Sequence, residues 1–593
     1  MIFIKKIIYW LRLFREAFGN YKWQIIILTL IGFLSGLLEG IGANALIPLF
    51  SFITGEGSGS DFISQTIERA FLFFNVDFAI GALLIFIAVL FIAKAIFSFF
   101  GSYIQIKISS DYEKNLRSEL FKKTLQSQWR YLLEQKIGYL EKILSTEVTQ
   151  VTRILLTISS FILIITNLIV FLFVAINISF SITMLTFSTG IIVVVVFQPL
   201  VKMIKRITQE VAAKTRSVAH FINENVLGMK TLKVASVNDF VASLGDSHFE
   251  TLRKLQMKRS IVGNIFGSFF QPFGVVFILT LFSFWYKSGT FNLPAFIAMV
   301  YLIQRIFAQV QNLQTNTQTF FGMLPYLEHV LAYRRTALEN EEENSGGRGF
   351  VFEKTFSFKN ITFNYNHNTK ILDDISFSVP KGSFVGLIGP SGAGKTTIVD
   401  IALRLFKPNS GDVLLDGVSA SEINLHDYRR NVGYVSQDIH LINDTIANNI
   451  RFFDETITDE HIKYAARQAN IYDVAQSLPK KFDSMVGERG VHFSAGQRQR
   501  IVIARVLARK PQLLILDEAT SALDNESELA IQNAIENLKG KITVLVIAHR
   551  LQTVMNCDRI LVLESGKIVE EGKPKELLKD KHTHFHKAYN IRQ

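Results

Sequence analysis

Residues 389–396 of the chain read Gly389-Pro390-Ser391-Gly392-Ala393-Gly394-Lys395-Thr396. They fit the pattern G-x-x-x-x-G-K-[ST], in which backbone N–H groups of a glycine-rich turn and the amino end of the next helix bind phosphate groups. Apolar residues before the pattern (383–388) predict a strand, and those after it (397–403) predict the start of a helix. Because this is the context that the pattern needs, we expect Lys395 to contact the β- and γ-phosphates of a nucleotide and Thr396 to hold Mg²⁺.

A second stretch, residues 512–518, ends in two carboxylates. Its leucines and isoleucines are typical of a parallel strand that is covered on both faces. Asp517 lies where a carboxylate can reach the Mg²⁺ shell, and Glu518 is placed one residue further on to polarise an attacking water. Acidic residues at a strand end also serve as helix N-caps, but a phosphate loop requires a Mg²⁺ partner. We therefore favour the catalytic interpretation.

A third segment, Phe493-Ser494-Ala495-Gly496-Gln497, stands directly before a predicted helix. It resembles the L-S-G-G-Q signature of ATP-binding cassette proteins. With this segment the chain is identified as a member of the ABC transporter family, because the motifs of the nucleotide-binding domain occur in the family's order.

The resemblance implies ATP and Mg²⁺ as ligands and assigns roles to residues of this chain, including the stacking of Tyr365 on adenine. Nucleotide contacts are implied for Tyr365, Gly389, Pro390, Ser391, Gly392, Ala393, Gly394, Lys395, Thr396, Thr397, Ser494, Ala495, Gly496, Gln497 and Asp524. Catalytic roles are implied for Glu518, His549 and Gln437, and metal contacts for Thr396, Gln437 and Asp517. Taken alone, His549 would be an ordinary polar residue, but it follows an apolar predicted strand (543–547) beyond Asp517.

The signature departs from the family pattern at two positions. Phe493 replaces Leu, and Ala495 replaces the first Gly of the pair. The family's signature binds γ-phosphate through a Ser hydroxyl, backbone N–H groups and the positive end of its helix. A methyl group at Ala495 keeps the N–H and adds little bulk. We expect weaker or slower closure at most, and not a dead site.

Composition points to a membrane protein. Of 593 residues, 49% are hydrophobic, 19% are charged and 51 are Phe, a combination that is rare in soluble proteins. The net charge of +12 suggests nucleic-acid binding at first sight, but many Lys and Arg lie beside apolar segments, as positive-inside topology requires. We therefore expect no nucleic-acid partner. Cys557 is the only cysteine, which excludes a disulfide within the chain and a multi-cysteine metal site.

Six apolar segments are long enough to cross a bilayer as helices. They lie at residues 23–50, 78–103, 154–176, 180–201, 261–285 and 293–321. Two long segments between them, 105–153 and 202–259, are rich in Lys and Arg. This bias predicts that these segments and both termini lie in the cytoplasm.

Long charged helical extensions of this kind resemble the ABC exporter fold. The resemblance implies an α-helical membrane domain of six transmembrane helices fused to an α/β phosphate-loop nucleotide-binding domain. We predict an interfacial amphipathic helix at residues 1–22, a six-span domain at 23–335, a linker at 336–350 and the nucleotide-binding domain at 351–593. The expected location is the bacterial inner (plasma) membrane, with the nucleotide-binding domain in the cytoplasm.

One cassette is chemically incomplete in this family, because each ATP lies between the phosphate loop of one cassette and the signature of the other. The resemblance therefore implies two chains. We expect a homodimer, since every catalytic position of this chain is filled. A heterodimer with a partner that carries a degenerate site stays open.

Three ionisable residues inside the predicted spans stand out: Glu39, Lys94 and Arg305. Such residues are costly at membrane depth and usually face a cavity or a partner, although each of them can also snorkel or pair within the bundle. Together, the two cations predict a substrate cavity for an anionic group.

A weaker resemblance concerns residues 38–49 and the external segment after them, with its short amphipathic helix (62–73). They resemble flippases of bacterial lipid-linked oligosaccharides. This implies ATP-driven export or flipping of an amphipathic, lipid-linked substrate to the outer side of the membrane. The alternatives are a multidrug, lipid A-type or peptide exporter of the same architecture and, beyond these, an ATP-gated channel or a regulatory ABC protein.

Overall fold

The computed structural model describes residues 13–54, 62–73, 75–135, 137–287, 291–344, 346–365, 370–517, 525–548 and 554–590. The chain forms two compact units. The first contains the chain up to Ser127 together with Tyr131–Glu341, and the second contains Gln128–Arg130 and the chain from Glu342 onward. Of the predicted interfacial helix at 1–22, residues 1–12 lie outside the described residues.

The chain before residue 341 is mainly helical in its described part. Its α-helices are α1 Lys22–Asn44, α2 Leu46–Thr54, α3 Phe62–Phe73, α4 Ile80–Leu125, α5 Trp129–Glu134, α6 Ile137–Lys142, α7 Val148–Ile178, α8 Phe180–Leu227, α9 Met229–Val234, α10 Asn238–Tyr286 and α11 Leu293–Glu339. Helix α1 packs against α4 and α7, and α11 packs against α7.

Close packing of α1 on α7 depends on glycines spaced four residues apart. A Cβ atom on Gly36 would lie 2.6 Å from Asn167 Oδ1, and one on Gly40 would lie 3.1 Å from Val174 Cγ2. Residues four apart share one helix face, and small residues on that face let helix backbones approach closely within a membrane. Gly36 and Gly40 therefore lie on the face of α1 that contacts α7.

Four described helices are long and apolar enough to cross a membrane. They are Leu13–Phe52, which includes α1, Ile80–Leu125, which is α4, Tyr139–Ile178, which includes α7, and Leu293–Glu339, which is α11. The other two predicted spans fall in α8 and α10, whose apolar parts among the described residues are the shorter stretches Phe180–Ile192 and Pro272–Tyr286. The described residues thus support four of the six predicted spans by length and composition.

The second unit is built on two β-sheets. Its strands are β1 Thr355–Phe363, β2 Leu372–Pro380, β3 Phe384–Ile388, β4 Ser410–Leu415, β5 Val418–Ser419, β6 Val432–Val435, β7 Leu513–Asp517, β8 Thr543–Ile547, β9 Arg559–Glu564 and β10 Lys567–Gly572. The smaller sheet has the order β2-β1-β4-β5, and the larger has the order β10-β9-β3-β8-β7-β6. In the larger sheet β9, β3, β8, β7 and β6 run parallel, and β10 pairs with β9 in the antiparallel sense.

Helices of the second unit connect these strands. They are α12 Lys395–Ala402, α13 Leu425–Asn431, α14 Ile446–Arg451, α15 Asp459–Gln468, α16 Tyr472–Ser477, α17 Ala495–Ala508, α18 Asn525–Glu536, α19 Pro574–Lys579 and α20 His584–Asn590.

The predicted burial of the central strands on both faces is confirmed. Along β7, Leu514 and Leu516 belong to one hydrophobic core, while Leu513 and Ile515 belong to another. The side chains of β3 and β8 divide between the same two cores in the same alternating way. Apolar residues at every position are therefore needed here, because successive side chains point to opposite faces of a sheet that is covered on both sides.

Candidate functional site

The functional loops of the second unit follow strands that end side by side. Strand register places Leu387 of β3 opposite Ile547 of β8, and Ile547 opposite Asp517 of β7. On the other side of β7, Leu516 lies opposite Val435 of β6. Open parallel sheets bind ligands in the crevice beyond the carboxyl ends of their strands. The loops after β3, β6, β7 and β8 all start at that edge.

The loop after β3 has the conformation that the phosphate-binding pattern requires. Gly392 and Gly394 adopt φ values of +81° and +106°, a region that glycine enters without strain. A Cβ atom on Gly394 would lie 2.7 Å from Leu372 Cδ2, and one on Gly389 would clash with the Leu563 carbonyl oxygen. Helix α12 begins directly at Lys395, so its free N–H groups face the loop.

Lys395 folds back over this loop. Its side chain is buried, with 6% exposure, and Nζ donates hydrogen bonds to the carbonyl oxygens of Gly389 at 3.0 Å and Pro390 at 2.9 Å. Ser391 and Thr396 are exposed on the same loop. The ammonium group is therefore held inside the loop while polar side chains face solvent, where a phosphate can reach them.

Tyr365 lies beside the phosphate loop. Its ring packs edge-on against Phe363 and Phe406, with centroid distances of 5.0 and 5.3 Å. Its hydroxyl group lies 3.1 Å from Thr397 Oγ1. The side chain remains 37% exposed, so part of it is accessible to a planar ligand next to the loop.

Polar side chains, one buried and two partly buried, interact at the end of β7. Asp517 is 6% exposed. Burial first, and then the charge of Asp517, raise the pKa of Asp400 to about 6. Burial is also the main cause of a raised pKa of the Tyr434 hydroxyl group. The second cause is the charge of Asp517, to which Tyr434 is hydrogen-bonded. Asp400 of α12 and Tyr434 of β6 are functional candidates that sequence reasoning missed. A lone Asp in the apolar run 398–403 was the available signal.

These side chains suit a Mg²⁺ ion that is shared with a nucleotide. Mg²⁺ takes oxygen ligands and is usually held by one or two carboxylates together with substrate phosphates. Asp517 and Asp400 supply carboxylates at one place, and Thr396 supplies an exposed hydroxyl group. Among the described residues, no group of three His, Cys, Asp or Glu side chains could hold a metal by itself.

The signature segment forms the start of a 14-residue helix, α17. Ser494 is its N-cap: Ser494 Oγ accepts a hydrogen bond from the Gln497 backbone N–H at 3.2 Å, and Gln497 Oε1 accepts one from the Ser494 N–H at 3.0 Å. This capping box satisfies two N–H groups at the helix start. Ser494 is exposed and Gly496 is buried. Phe493 is 7% exposed and lies in a hydrophobic core, so its departure from Leu keeps an apolar contact.

The remaining predicted residues follow the neighbouring strands. Gln437 is exposed, two residues after the end of β6. Glu518 and Asp524 after β7 and His549 after β8 lie outside the described residues. Because they lie outside the described part of the chain, the roles assigned to these three residues stay predictions. The strands that precede them, β7 and β8, are adjacent and in register.

In the first unit, the three predicted cavity residues form one ion cluster. Glu39 Oε2 lies 2.8 Å from Lys94 Nζ, and Glu39 Oε1 lies 2.9 Å from Arg305 Nε. Tyr301, which sequence reasoning missed, donates a hydrogen bond from its hydroxyl group to Glu39 Oε1 at 3.2 Å. The two cations thus share one carboxylate. All three residues pair within the helical bundle, which was one of the two interpretations that the sequence allowed.

Two family models match the chain. A model described as "ABC transporter" matches residues 372–521, and a model described as "ABC transporter transmembrane region" matches residues 25–310. A solved structure described as a bacterial Atm1-family ABC exporter with ATP bound is similar with a TM-score of 0.78 at 21% identity, covering 97% of this chain and 99% of that chain. This likeness shows the ABC exporter fold.

Several relatives are similar in sequence. An ATP-dependent lipid A-core flippase of Paraburkholderia xenovorans is 35% identical over 387 residues, which is 64% of this chain and 64% of the relative. Another of Haemophilus influenzae is 44% identical over 273 residues, 46% of this chain and 44% of the relative. Heavy metal tolerance factor 1 of Caenorhabditis elegans is 31% identical over 507 residues, 82% of this chain and 61% of the relative. The matches span less than two thirds of the length of these three relatives.

Proposed function

Because the chain belongs to the ABC transporter family, we propose that it is an ATP-driven flippase that moves a phosphate-bearing lipid across a membrane. The observation that carries this proposal is an ATP-binding cassette on the same chain as four helices long and apolar enough to cross a bilayer. In the cassette, the phosphate loop follows β3 and Asp517 ends β7, and these two strands flank β8 in one sheet.

We assign each catalytic group a task from its position in the chain after a strand of the larger sheet. Lys395 and the loop N–H groups bind the β- and γ-phosphates of ATP. Asp517, Thr396 and Gln437 hold Mg²⁺, which supplies positive charge to the phosphate groups. Glu518, which follows β7 directly in the sequence, would orient and polarise the attacking water, and His549, two residues after β8 in the sequence, would contact the γ-phosphate.

We propose a membrane domain of six spans. Four are the long apolar helices described above, and α8 and α10, which contain the shorter apolar stretches, supply the other two. Both helices continue without a break into long charged segments. The Lys and Arg of those segments support a cytoplasmic location for them and for the cassette. The membrane that we propose is the bacterial inner membrane.

The working form that we propose is a homodimer. Ser494 is exposed at the start of α17, and a phosphate loop of the same family requires a signature to complete its site. In the dimer, the signature residues Ser494, Ala495, Gly496 and Gln497 of one chain would cover the nucleotide held by the other, and Asp524 would lie at the same contact.

For the substrate, we propose an amphipathic anionic lipid, and most specifically a polyprenyl-diphosphate-linked oligosaccharide. The cluster of Glu39, Lys94 and Arg305 supports an anionic group, since it holds two cations and one carboxylate. The second candidate is a lipid A-type substrate, which the names of the bacterial relatives favour. Both candidates carry anionic groups that cannot cross a hydrocarbon core unaided.

Flipping in reconstituted vesicles tests the proposal. Purified protein is placed in proteoliposomes with a fluorescent lipid-linked diphosphate sugar, a lipid A-type lipid or an uncharged drug, and the accessibility of each to an external quencher is followed. We expect ATP-dependent movement of a phosphate-bearing lipid and none with a non-hydrolysable ATP analogue. Movement of the uncharged drug alone would overturn the proposal in favour of a multidrug exporter, and ATP-dependent current without net movement would indicate a gated channel.

The dimer proposal makes a prediction for Ser494→Arg. This change removes the N-cap and places a long cation at the start of α17, so it should damage the site that holds the other chain's nucleotide. Lys395→Ala damages the site of its own chain. Mixed dimers with one change on each chain should therefore keep one nucleotide site, whereas dimers with both changes on one chain and none on the other should keep none.

ATP-binding stoichiometry of the two differently tagged dimers measures this difference. Equal stoichiometry in the two arrangements would contradict a signature that acts on the partner's nucleotide. An active monomer, or an obligatory different partner in a mass measurement, would contradict the homodimer.

A further inference from the structure

The geometry points to a positioning role for Glu39, and this inference rests on the proposed function because it concerns the selectivity of the same site. We propose that Glu39 holds Lys94 and Arg305 from their buried side, so that their outer donors form a binding site for the phosphate of a lipid headgroup. The phosphate binds beside the cluster, and Glu39 stays in place.

The carboxylate is the buried centre of the cluster. The Glu39 side chain is 6% exposed, and each of its oxygens is occupied: Oε2 by Lys94 Nζ at 2.8 Å, and Oε1 by Arg305 Nε at 2.9 Å. Tyr301 adds a hydrogen bond to Oε1 and accepts one from Arg305 Nε at 3.1 Å. Because Glu39 lies on α1, Lys94 on α4 and Arg305 on α11, one carboxylate sets the positions of cations from two other helices.

The cations are the accessible part of the cluster. The Lys94 and Arg305 side chains are 24% and 42% exposed. The guanidinium group of Arg305 lies against the Tyr301 ring, with Cζ 5.1 Å from its centroid, and its bonds to described residues are made through Nε. Within the described chain, neither Nη atom donates a hydrogen bond. The outer edge of the guanidinium is the edge that binds phosphate through two parallel hydrogen bonds.

Charge favours an anion at that edge. Two cations and one carboxylate leave the cluster with a net charge of +1. A surplus cation at membrane depth is costly, and an anionic headgroup offsets this cost, whereas a neutral one does not. Displacing Glu39 would leave a buried carboxylate without either partner, which is strongly unfavourable. The phosphate is therefore expected to bind at the free edge of the cations and not in place of the carboxylate.

The test compares two lipids that differ only in the phosphate. Binding of polyprenyl monophosphate and of the corresponding polyprenol to the full-length protein is titrated for the wild type, Glu39→Gln and Glu39→Asp. Glu119→Gln is the matched control, since Glu119 of α4 pairs with Arg334 of α11 at 2.7 Å and so joins the same two helices as the cations. Thermal melting of each variant without added lipid reports on stability.

We expect the wild type to prefer the phosphate lipid. Glu39→Gln should raise the Kd for the phosphate lipid about tenfold or more, an effect of the size found when a group that orients a metal ligand is lost, with little change for polyprenol. Glu39→Asp keeps the charge and should recover part of the affinity, and Glu119→Gln should leave both lipids unchanged. If Glu39→Gln does not fold, Arg305→Lys replaces it, because it keeps the charge but loses the two-pronged edge, and it should weaken phosphate binding alone.

Four outcomes would overturn the inference. Tighter phosphate binding by Glu39→Gln would show that Glu39 competes with the ligand. Unchanged phosphate binding by Glu39→Gln, or no preference for phosphate in the wild type, would show that Glu39 has no positioning role. Equal weakening for both lipids with a lower melting temperature would show that the role of Glu39 is only structural.

The flipping assay separates this inference from the proposed function. Glu39-dependent phosphate binding without transport refutes the flippase alone, and transport that Glu39→Gln leaves unchanged refutes the positioning role alone.

Discussion

Glu518→Gln is expected to stop ATP hydrolysis while ATP binding persists. Glu518 follows Asp517, the last residue of β7, directly. Strand β7 pairs with β8, and β8 pairs with β3, the strand before the phosphate loop. A group that accepts a proton from, or positions, the attacking water contributes about a hundredfold to ten-thousandfold in rate. Gln has nearly the same shape but no negative charge. We therefore expect a fall in kcat of that order and accumulation of an ATP-bound closed dimer.

ATP turnover and ATP binding are measured separately on the same preparations. Glu536→Gln is a suitable control, because Glu536 lies on α18 of the same unit and its bond to Asn556 is exposed. It should hydrolyse ATP at the wild-type rate. Turnover of Glu518→Gln at the wild-type rate would show that another residue performs this task.

Much of the cassette was predictable because its signals are local. The run of residues 513–516 contains only Leu and Ile, and such a run fits a strand that is covered on both faces. The loop glycines stand at fixed offsets from Lys395, since the turn needs backbone conformations that other residues avoid. The strand order of the sheet was not predicted, but loops at the carboxyl ends of parallel strands lie at one edge of a sheet.

Asp400 and Tyr434 were not predicted, because their role depends on distant contacts. Asp400 lies on α12 and Tyr434 on β6, and both interact with Asp517 of β7. No spacing in the sequence relates these three positions. Only the packing of α12 and β6 against β7 brings the side chains together.

Pairing within the membrane half was also beyond the sequence. Glu39, Lys94 and Arg305 were each recognisable as charges inside apolar segments, but their pairing depends on how α1, α4 and α11 are rotated about their axes. The count of spans has a related difficulty. Helix α8 runs from Phe180 to Leu227 without interruption, so no helix end marks where its apolar part stops.

The second large effect is expected for Lys395→Ala, which should lose both ATP affinity and turnover. The Lys395 ammonium is held in the loop by the carbonyl oxygens of Gly389 and Pro390. Hydrogen bonds to charged groups contribute about 1.5–3 kcal/mol, so we expect the Kd for ATP to rise roughly tenfold to hundredfold. Turnover at saturating ATP should fall roughly hundredfold or more, because charge on the transferring phosphate is no longer offset.

Two further variants accompany Lys395→Ala: Lys370→Ala is its control, and Lys395→Arg separates the charge of Lys395 from the shape of its ammonium group. Lys370→Ala removes an exposed lysine that pairs with Asp373, and it should bind and hydrolyse ATP normally. Lys395→Arg keeps the charge, but its planar group cannot replace a compact ammonium between two carbonyl oxygens, so it should also bind ATP poorly. Full ATP affinity in Lys395→Ala would contradict the assignment of this loop as the phosphate site. Equal melting temperatures of the nucleotide-free variants would show that the lost affinity comes from the missing contact and not from unfolding.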